Sequence, residues 1–140
     1  MKINGEKAET VIVASGYFDP VHIGHVEYLV EAKKLGTHLI VILNTDVQAI
    51  RKKGYCFMPF EERKFILEHL EMVDEVVPCI DEDQSVCKTL EFLCPQIFAK
   101  GGDRNKGNIP EREVCEMLGI KIIDGLGIKK QSSSKLVEGT

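Results

Sequence analysis

Apolar residues fall in short continuous runs, set apart by polar, glycine- and proline-marked breaks. Thr10-Val11-Ile12-Val13-Ala14 and His38-Leu39-Ile40-Val41-Ile42-Leu43-Asn44 show no alternation. Runs of this kind suit strands buried on both faces, as in a parallel sheet. Val73-Asp74-Glu75-Val76-Val77-Pro78, Gln96-Ile97-Phe98-Ala99 and Ile120 to Ile123 add three shorter candidates. Helical patterns lie between them. Val26 to Leu35 is closed by Gly36. Pro59 opens a helix with Glu61 and Glu62 in its first turn, a stripe of Ile66, Leu67 and Leu70, and an end near Glu71. Ser85 to Cys94 turns Val86, Cys87, Leu90 and Leu93 inward and stops at Pro95. Pro110 to Leu118 ends at Gly119. Ser132-Ser133-Ser134 reads as the cap of a last short helix from Lys135. Asn44-Thr45-Asp46 follows its strand as a polar loop, and the cationic cluster Arg51-Lys52-Lys53-Gly54 comes after it.

Strand and helix alternate with short connections. The pattern predicts an α/β fold, a doubly wound parallel sheet of five strands with helices on both faces. Ligands of such sheets bind beyond the carboxyl ends of the strands. The polar sets 15–25, 44–54, 100–108 and 129–134 all follow predicted strands, so they should converge on one edge.

At 140 residues the chain reads as one domain over 10–140, with residues 1–9 as a flexible arm. A net charge of −4 argues against non-specific binding of nucleic acid but permits small anionic ligands, which need only local cations. Five cysteines, an odd number with no C-x-x-C spacing, read as reduced thiols of a cytoplasmic protein. The polar start has no signal-peptide core, and no apolar run reaches the length of a membrane span.

Candidate chemistry centres on Gly16-Tyr17-Phe18-Asp19-Pro20-Val21-His22-Ile23-Gly24-His25. In the first turn of a helix, spacing of three puts both histidines on one face. Free amides and the positive end of the helix dipole suit phosphate there, and Gly24 lets a nucleotide approach the backbone. From the residues alone, three roles stay open: metal ligation with Asp19, a structural capping pair, and a phosphate-binding catalytic pair. Arg63 falls on the core stripe of its helix, so it must meet a carboxylate or point into a site at the sheet edge.

The stretch Gly16-x-Phe18-Asp19-x-x-His22-x-Gly24-His25 resembles the signature of the HxGH nucleotidyltransferase superfamily. Asn44-Thr45-Asp46, Lys53-Gly54, Pro59-Phe60-Glu61-Glu62-Arg63 and Val73-Asp74-Glu75-Val76-Val77 resemble further motifs of that group. Lys100-Gly101-Gly102-Asp103 is similar to the K-G-G-D of heptose-1-phosphate adenylyltransferase domains. Ser132-Ser133-Ser134 stands where those and glycerol-3-phosphate cytidylyltransferases carry S-T-T, and Arg104-Asn105-Lys106 is more basic than in the heptose group. The resemblance runs from about residue 10 to 137. It implies a Rossmann-like three-layer fold and transfer of AMP or CMP from a nucleoside triphosphate to a phosphorylated sugar or polyol, with release of pyrophosphate. A CTP-dependent enzyme acting on glycerol 3-phosphate, and a non-catalytic nucleotide sensor, are the alternatives.

The resemblance also implies roles. His22, His25 and Lys53 would be catalytic. Gly16, Tyr17, Phe18, Gly24, Arg63, Lys100, Gly101, Gly102, Asp103, Ser132, Ser133 and Ser134 would bind the nucleotide, with Arg63 reaching the triphosphate or fixing a loop. Asp19, Asn44, Asp46 and Arg104 would face the acceptor. Mg²⁺ would arrive with the nucleotide, and a homodimer is the implied assembly.

Overall fold

The computed structural model describes residues 9–101 and 109–127, the Ile109 side chain excepted. Five parallel strands, β1 (Val11–Gly16), β2 (His38–Leu43), β3 (Glu75–Pro78), β4 (Ile97–Gly101) and β5 (Lys121–Leu126), form one sheet in the order β3-β2-β1-β4-β5. The reversal of direction between β2-β1 and β1-β4 makes the sheet doubly wound, as expected. β1 is flanked on both sides, with Val11 opposite His38 and Gly16 opposite Leu43.

Side chains alternate across the sheet, which splits the core in two. Ile12 and Ala14 of β1, Leu39, Val41 and Leu43 of β2, and Ala99 of β4 share one face with Leu29 and Ala32 of α1 (Ile23–Lys33) and Leu67 of α3 (Phe60–Glu68). Val13, Ile40, Ile42 and Phe98 share the other with Leu90 of α4 (Cys87–Leu93) and Cys115 of α5 (Ile109–Leu118). Strands buried on both faces explain the unbroken apolar runs, and the helices on either side complete three layers. At Gly36 an added Cβ would lie 2.5 Å from the Thr10 carbonyl oxygen, so only glycine allows the chain to turn this close beneath β1.

The structure corrects one element. Asp46, expected in a polar loop with Asn44 and Thr45, opens a helix that the pattern did not predict, α2 (Asp46–Lys53), and the cations of the cluster fall within it. Thr45 caps it by accepting from the Gln48 N–H at 3.2 Å, while Gln48 Oε1 accepts from the Thr45 N–H at 2.8 Å. Gly54, at φ 91°, ends it in the left-handed conformation. Arg51, Lys52 and Lys53 therefore occupy a helical last turn, where the dipole favours cations. Boundaries shift elsewhere. α1 begins at Ile23 rather than Val26, α3 ends at Glu68 rather than near Glu71, and β5 takes in Gly125. The arm at residues 1–8 and the helix expected from Lys135 lie outside the described residues.

Candidate active site

The carboxyl ends of β1, β2 and β4 bring Gly16, Tyr17, Asn44, Lys100 and Gly101 to one edge, as expected for the sets 15–25 and 44–54 and the start of 100–108; residues 129–134 lie outside the described residues. There β1 turns through Phe18, at φ 48°, whose ring is 2% exposed and packs under Gly16. A Cβ on Gly16 would come within 2.9 Å of that ring.

His22 is the N-cap of α1, and the two imidazoles form a reciprocal cap. His22 Nδ1 accepts from the Gly24 N–H at 3.1 Å, and His25 Nδ1 accepts from the His22 N–H at 3.1 Å. With both Nδ1 lone pairs engaged, each neutral ring carries its proton on Nε2. The rings stack at 3.8 Å between centroids and 24° between planes, and the Phe18 edge abuts His25 at 4.8 Å. Burial, and then the neighbouring His22, hold the His25 pKa down at about 4. The cap thus leaves the two Nε2–H groups as the free donors of the pair. Two amides expected to be open to phosphate are instead taken by the rings. Gly24 makes room for the His22 imidazole, which a Cβ there would approach to 3.0 Å.

Asp19 is closed to solvent and fully engaged. Its Oδ1 accepts from the Met58 N–H at 2.6 Å, and its Oδ2 from the Phe57 N–H and Lys53 Nζ, both at 2.8 Å. Burial pushes the Asp19 pKa up. The Lys53 ammonium and the two amides outweigh it and hold the carboxyl below the usual carboxylate range. Lys53, with a quarter of its side chain exposed, also sits 5.1 Å from the Tyr55 ring centroid. Lys52 lies over Tyr17 at 5.7 Å.

Arg63 meets the carboxylate expected of it. Its side chain is 0% exposed, and Nη2 pairs with Asp46 Oδ1 at 2.7 Å. Nη1 donates to the carbonyls of Tyr17 and Asn44, each at 2.8 Å, and Nε to that of Met58 at 2.7 Å. One guanidinium therefore ties together the loops after β1, β2 and α2. This is the loop-fixing role; the fork has its donors directed into the protein rather than outward. Asp46 remains 45% exposed.

Between β1 and β4, where the strand order reverses, a cleft of about 210 Å³ opens. Tyr28 of α1 forms one wall. Its hydroxyl donates to the Ala99 carbonyl at 2.6 Å and accepts from the Ser15 N–H at 3.3 Å, joining the two strands. Burial raises the Tyr28 pKa, so it stays a neutral donor. A Cβ on Gly101 would meet the Tyr28 ring at 3.0 Å. Lys100, Gln84 and Glu111 also line the cleft.

Sequence reasoning passed over Tyr28, Gln48, Gln84 and Glu111. Tyr28 looks like any core position of a helix. Gln48 had a readable signal in Thr45-x-x-Gln48; it bridges from Asn44 Nδ2 at 2.9 Å to the Asp81 carbonyl at 2.7 Å. Gly102, Asp103, Arg104 and Ser132 to Ser134 lie outside the described residues. Among the described residues no group of three or more His, Cys, Asp or Glu is arranged to hold a metal ion. No described helix is long and apolar enough to cross a membrane.

Comparison with known proteins completes the picture. Residues 13–124 match a family model described as cytidylyltransferase-like. The bifunctional protein HldE of Citrifermentans bemidjiense is 39% identical over 139 residues, covering 94% of this chain and 27% of the relative. HldE of Hahella chejuensis is 39% identical over 123 residues, covering 86% of this chain and 25% of that one. The chain thus spans about a quarter of the length of these curated relatives. A lipopolysaccharide core biosynthesis protein of Thermoplasma volcanium superimposes with a TM-score of 0.71 at 28% identity, over 84% of this chain and 96% of that one. A protein of unknown function from Archaeoglobus fulgidus, at 19% identity and a TM-score of 0.53, shares the fold.

Proposed function

The chain belongs to the cytidylyltransferase-like family of nucleotidyltransferases, and we propose that it transfers AMP from ATP to a sugar 1-phosphate of the heptose type, releasing pyrophosphate. Similarity to HldE over 94% of the chain supports this choice of nucleotide and acceptor, as does the Lys100-Gly101-Gly102-Asp103 motif. The likeness to a protein named for lipopolysaccharide core biosynthesis points to the same kind of acceptor.

The observation that carries the reading is the stacked, reciprocally capped histidine pair. An acceptor phosphate is largely dianionic near neutral pH, with a second pKa of about 6. One of its oxygens attacks the α-phosphorus in line. The bond from the α-phosphorus to the oxygen bridging to the β-phosphorus breaks, and pyrophosphate leaves with that electron pair. The attack needs neither a general base nor a covalent enzyme intermediate. What remains is alignment of two anions and stabilisation of charge developing on phosphate oxygens. Two fixed Nε2–H donors suit that task, because their tautomer and direction are set before substrate arrives. Lys53 adds a cation that exchanges its Asp19 partner for phosphate. Arg63 keeps the loops carrying Tyr17 and Asn44 in register. Mg²⁺ enters as the metal of the triphosphate substrate, and no step is assigned to a protein-held ion. A homodimer in the cytoplasm is part of the same reading.

The test is pyrophosphate release across ATP, CTP, GTP and UTP with heptose 1-phosphate, mannose 1-phosphate and glycerol 3-phosphate. Release is expected with ATP and heptose 1-phosphate. Release confined to CTP and glycerol 3-phosphate would move the assignment to a cytidylyltransferase. Binding of nucleotide without release from any pair would make the chain a sensor.

A further inference from the structure

The cleft between the ends of β1 and β4 holds a charge to which the transfer scheme gives no part. Glu111, in the first turn of α5, is 7% exposed and lines that cleft. Among the described residues a single hydrogen bond reaches it, from the Val86 N–H to Oε2 at 3.1 Å. Oε1 has no described partner. No side-chain oxygen or nitrogen of the described residues is both fully buried and without a partner, so Glu111 is not a stranded charge; it lines the cleft as an acceptor that a hydroxyl entering there can reach.

Lys100 lines the same cleft. Burial lowers its pKa, and the Glu111 carboxylate acts against that by raising it, so the two charges sense each other across the cavity. The β4–β5 register shifts between Ala99 and Gly101, around Lys100. The pair of opposite charges decides what can enter. A phosphate is repelled by Glu111, and a cationic head group by Lys100. An apolar group would leave both charges desolvated and unpaired. Neutral hydroxyls satisfy both, donating to the carboxylate and accepting from the ammonium. The Gln84 amide at the same wall can do either. A space of about 210 Å³ takes a small polyhydroxylated group.

We propose that Glu111 reads a hydroxyl pair of the substrate, its Oε1 accepting from the ligand while Oε2 stays on the Val86 amide. The hydroxyls belong either to the acceptor sugar or to the nucleotide ribose. The identity of these two ligands rests on the transfer reading; the hydroxyl chemistry of the cleft does not.

Calorimetric titration of the full chain tests this with two matched pairs, each ligand alone so that no turnover occurs. Heptose 1-phosphate is compared with methyl phosphate, and ATP with 2′,3′-dideoxy-ATP. In the wild-type protein the hydroxylated member of one pair binds about tenfold or more tighter, as expected for hydrogen bonds to a charged group. Glu111→Ala brings that ratio to near unity while methyl phosphate and dideoxy-ATP bind as before. Glu111→Gln, which keeps shape and one acceptor, falls between, and it carries the test alone if the alanine variant does not fold. The pair whose ratio collapses names the source of the hydroxyls. Unchanged ratios in both variants overturn the proposal. Equal weakening of hydroxylated and stripped ligands also overturns it, because a purely structural glutamate acts that way. So does a wild-type protein without preference in either pair. Pyrophosphate release on the same samples separates the two ideas. Hydroxyl preference without release removes only the transfer reading, and release with unchanged ratios removes only this one.

Discussion

Replacing Arg63 with methionine keeps the buried stem and deletes the guanidinium. The change removes a donor from each of the Tyr17, Asn44 and Met58 carbonyls and takes the cation from Asp46, leaving the Cys56 thiol, 3.2 Å from both the Asp46 carboxylate and the Met58 carbonyl, to serve only one of them. Asp46 is 45% exposed and returns largely to water, so its share of the loss is small. Asn44, 8% exposed, is buried, and its carbonyl together with those of Tyr17 and Met58 carries most of the cost. An unsatisfied buried acceptor costs about 1–3 kcal/mol, and partial relaxation brings the sum to about 3–5 kcal/mol. A domain of this size has about 5–15 kcal/mol in all, so the variant should fold but melt about 10–20 °C lower. Thermal melting by circular dichroism, with urea unfolding for the free energy, measures this. Asp46→Asn should cost less than the methionine change, about 1–3 kcal/mol, since it leaves the three carbonyl contacts intact but takes the countercharge from a buried guanidinium. Because the guanidinium holds three loops at once, kcat of the methionine variant should fall more than the Kd for nucleotide rises. A Tm within about 2 °C of wild type would refute the view that this fork organises the site edge.

Three further outcomes follow from the geometry. The folded-state pKa of Asp19 lies below its unfolded value of about 3.9, so its contribution is present above that pH and lost as pH falls through the folded value; Asp19→Asn should flatten the stability-against-pH curve in that acid window, read from urea midpoints. His25 has its folded pKa lowered to about 4, so its stabilising share is full above about pH 6.5 and declines towards pH 4; His25→Asn should remove that slope, and an unchanged slope would contradict the buried, neutral imidazole. Tyr28→Phe deletes the link between β1 and β4 and should cost about 1–2 kcal/mol by chemical denaturation, with none lost if the hydroxyl is idle.

Much of the scaffold could be read along the chain. Val11 to Ala14 and His38 to Leu43 declare buried parallel strands because both faces of the sheet are covered, and of the two outcomes open to Arg63 on a core stripe, a carboxylate or a site at the sheet edge, the structure shows the first, with Asp46. α2 escaped because hydrophobic periodicity reports helices that bury an apolar face. Its own apolar residues Val47 and Ile50 point to solvent, 62% and 51% exposed, while Gln48 and Ala49 are the buried ones. The Thr45-x-x-Gln48 cap was the better signal there. Capping by the histidine pair was among the roles open from the residues, and the structure shows it; the reciprocal arrangement of the two rings was not legible. Which ring nitrogen is left to donate depends on the extended backbone at His22, which lets each ring reach back to an amide. Glu111 and Tyr28 were illegible for a different reason. An acid after a helix-opening proline and an aromatic in a helical stripe occur on many helices, and only the approach of α1 and α5 to the β1–β4 gap gives them a cleft to line.

In the proposed transfer, His22 and His25 act as fixed Nε2–H donors to the phosphate where charge develops. Single-turnover pyrophosphate release from saturating ATP and heptose 1-phosphate tests it most directly, comparing wild type with His22→Ala and His25→Ala. Removing one such donor should slow the step about 10²-fold or more in each variant, with ATP still bound. Release at near wild-type rates in both variants would contradict the account.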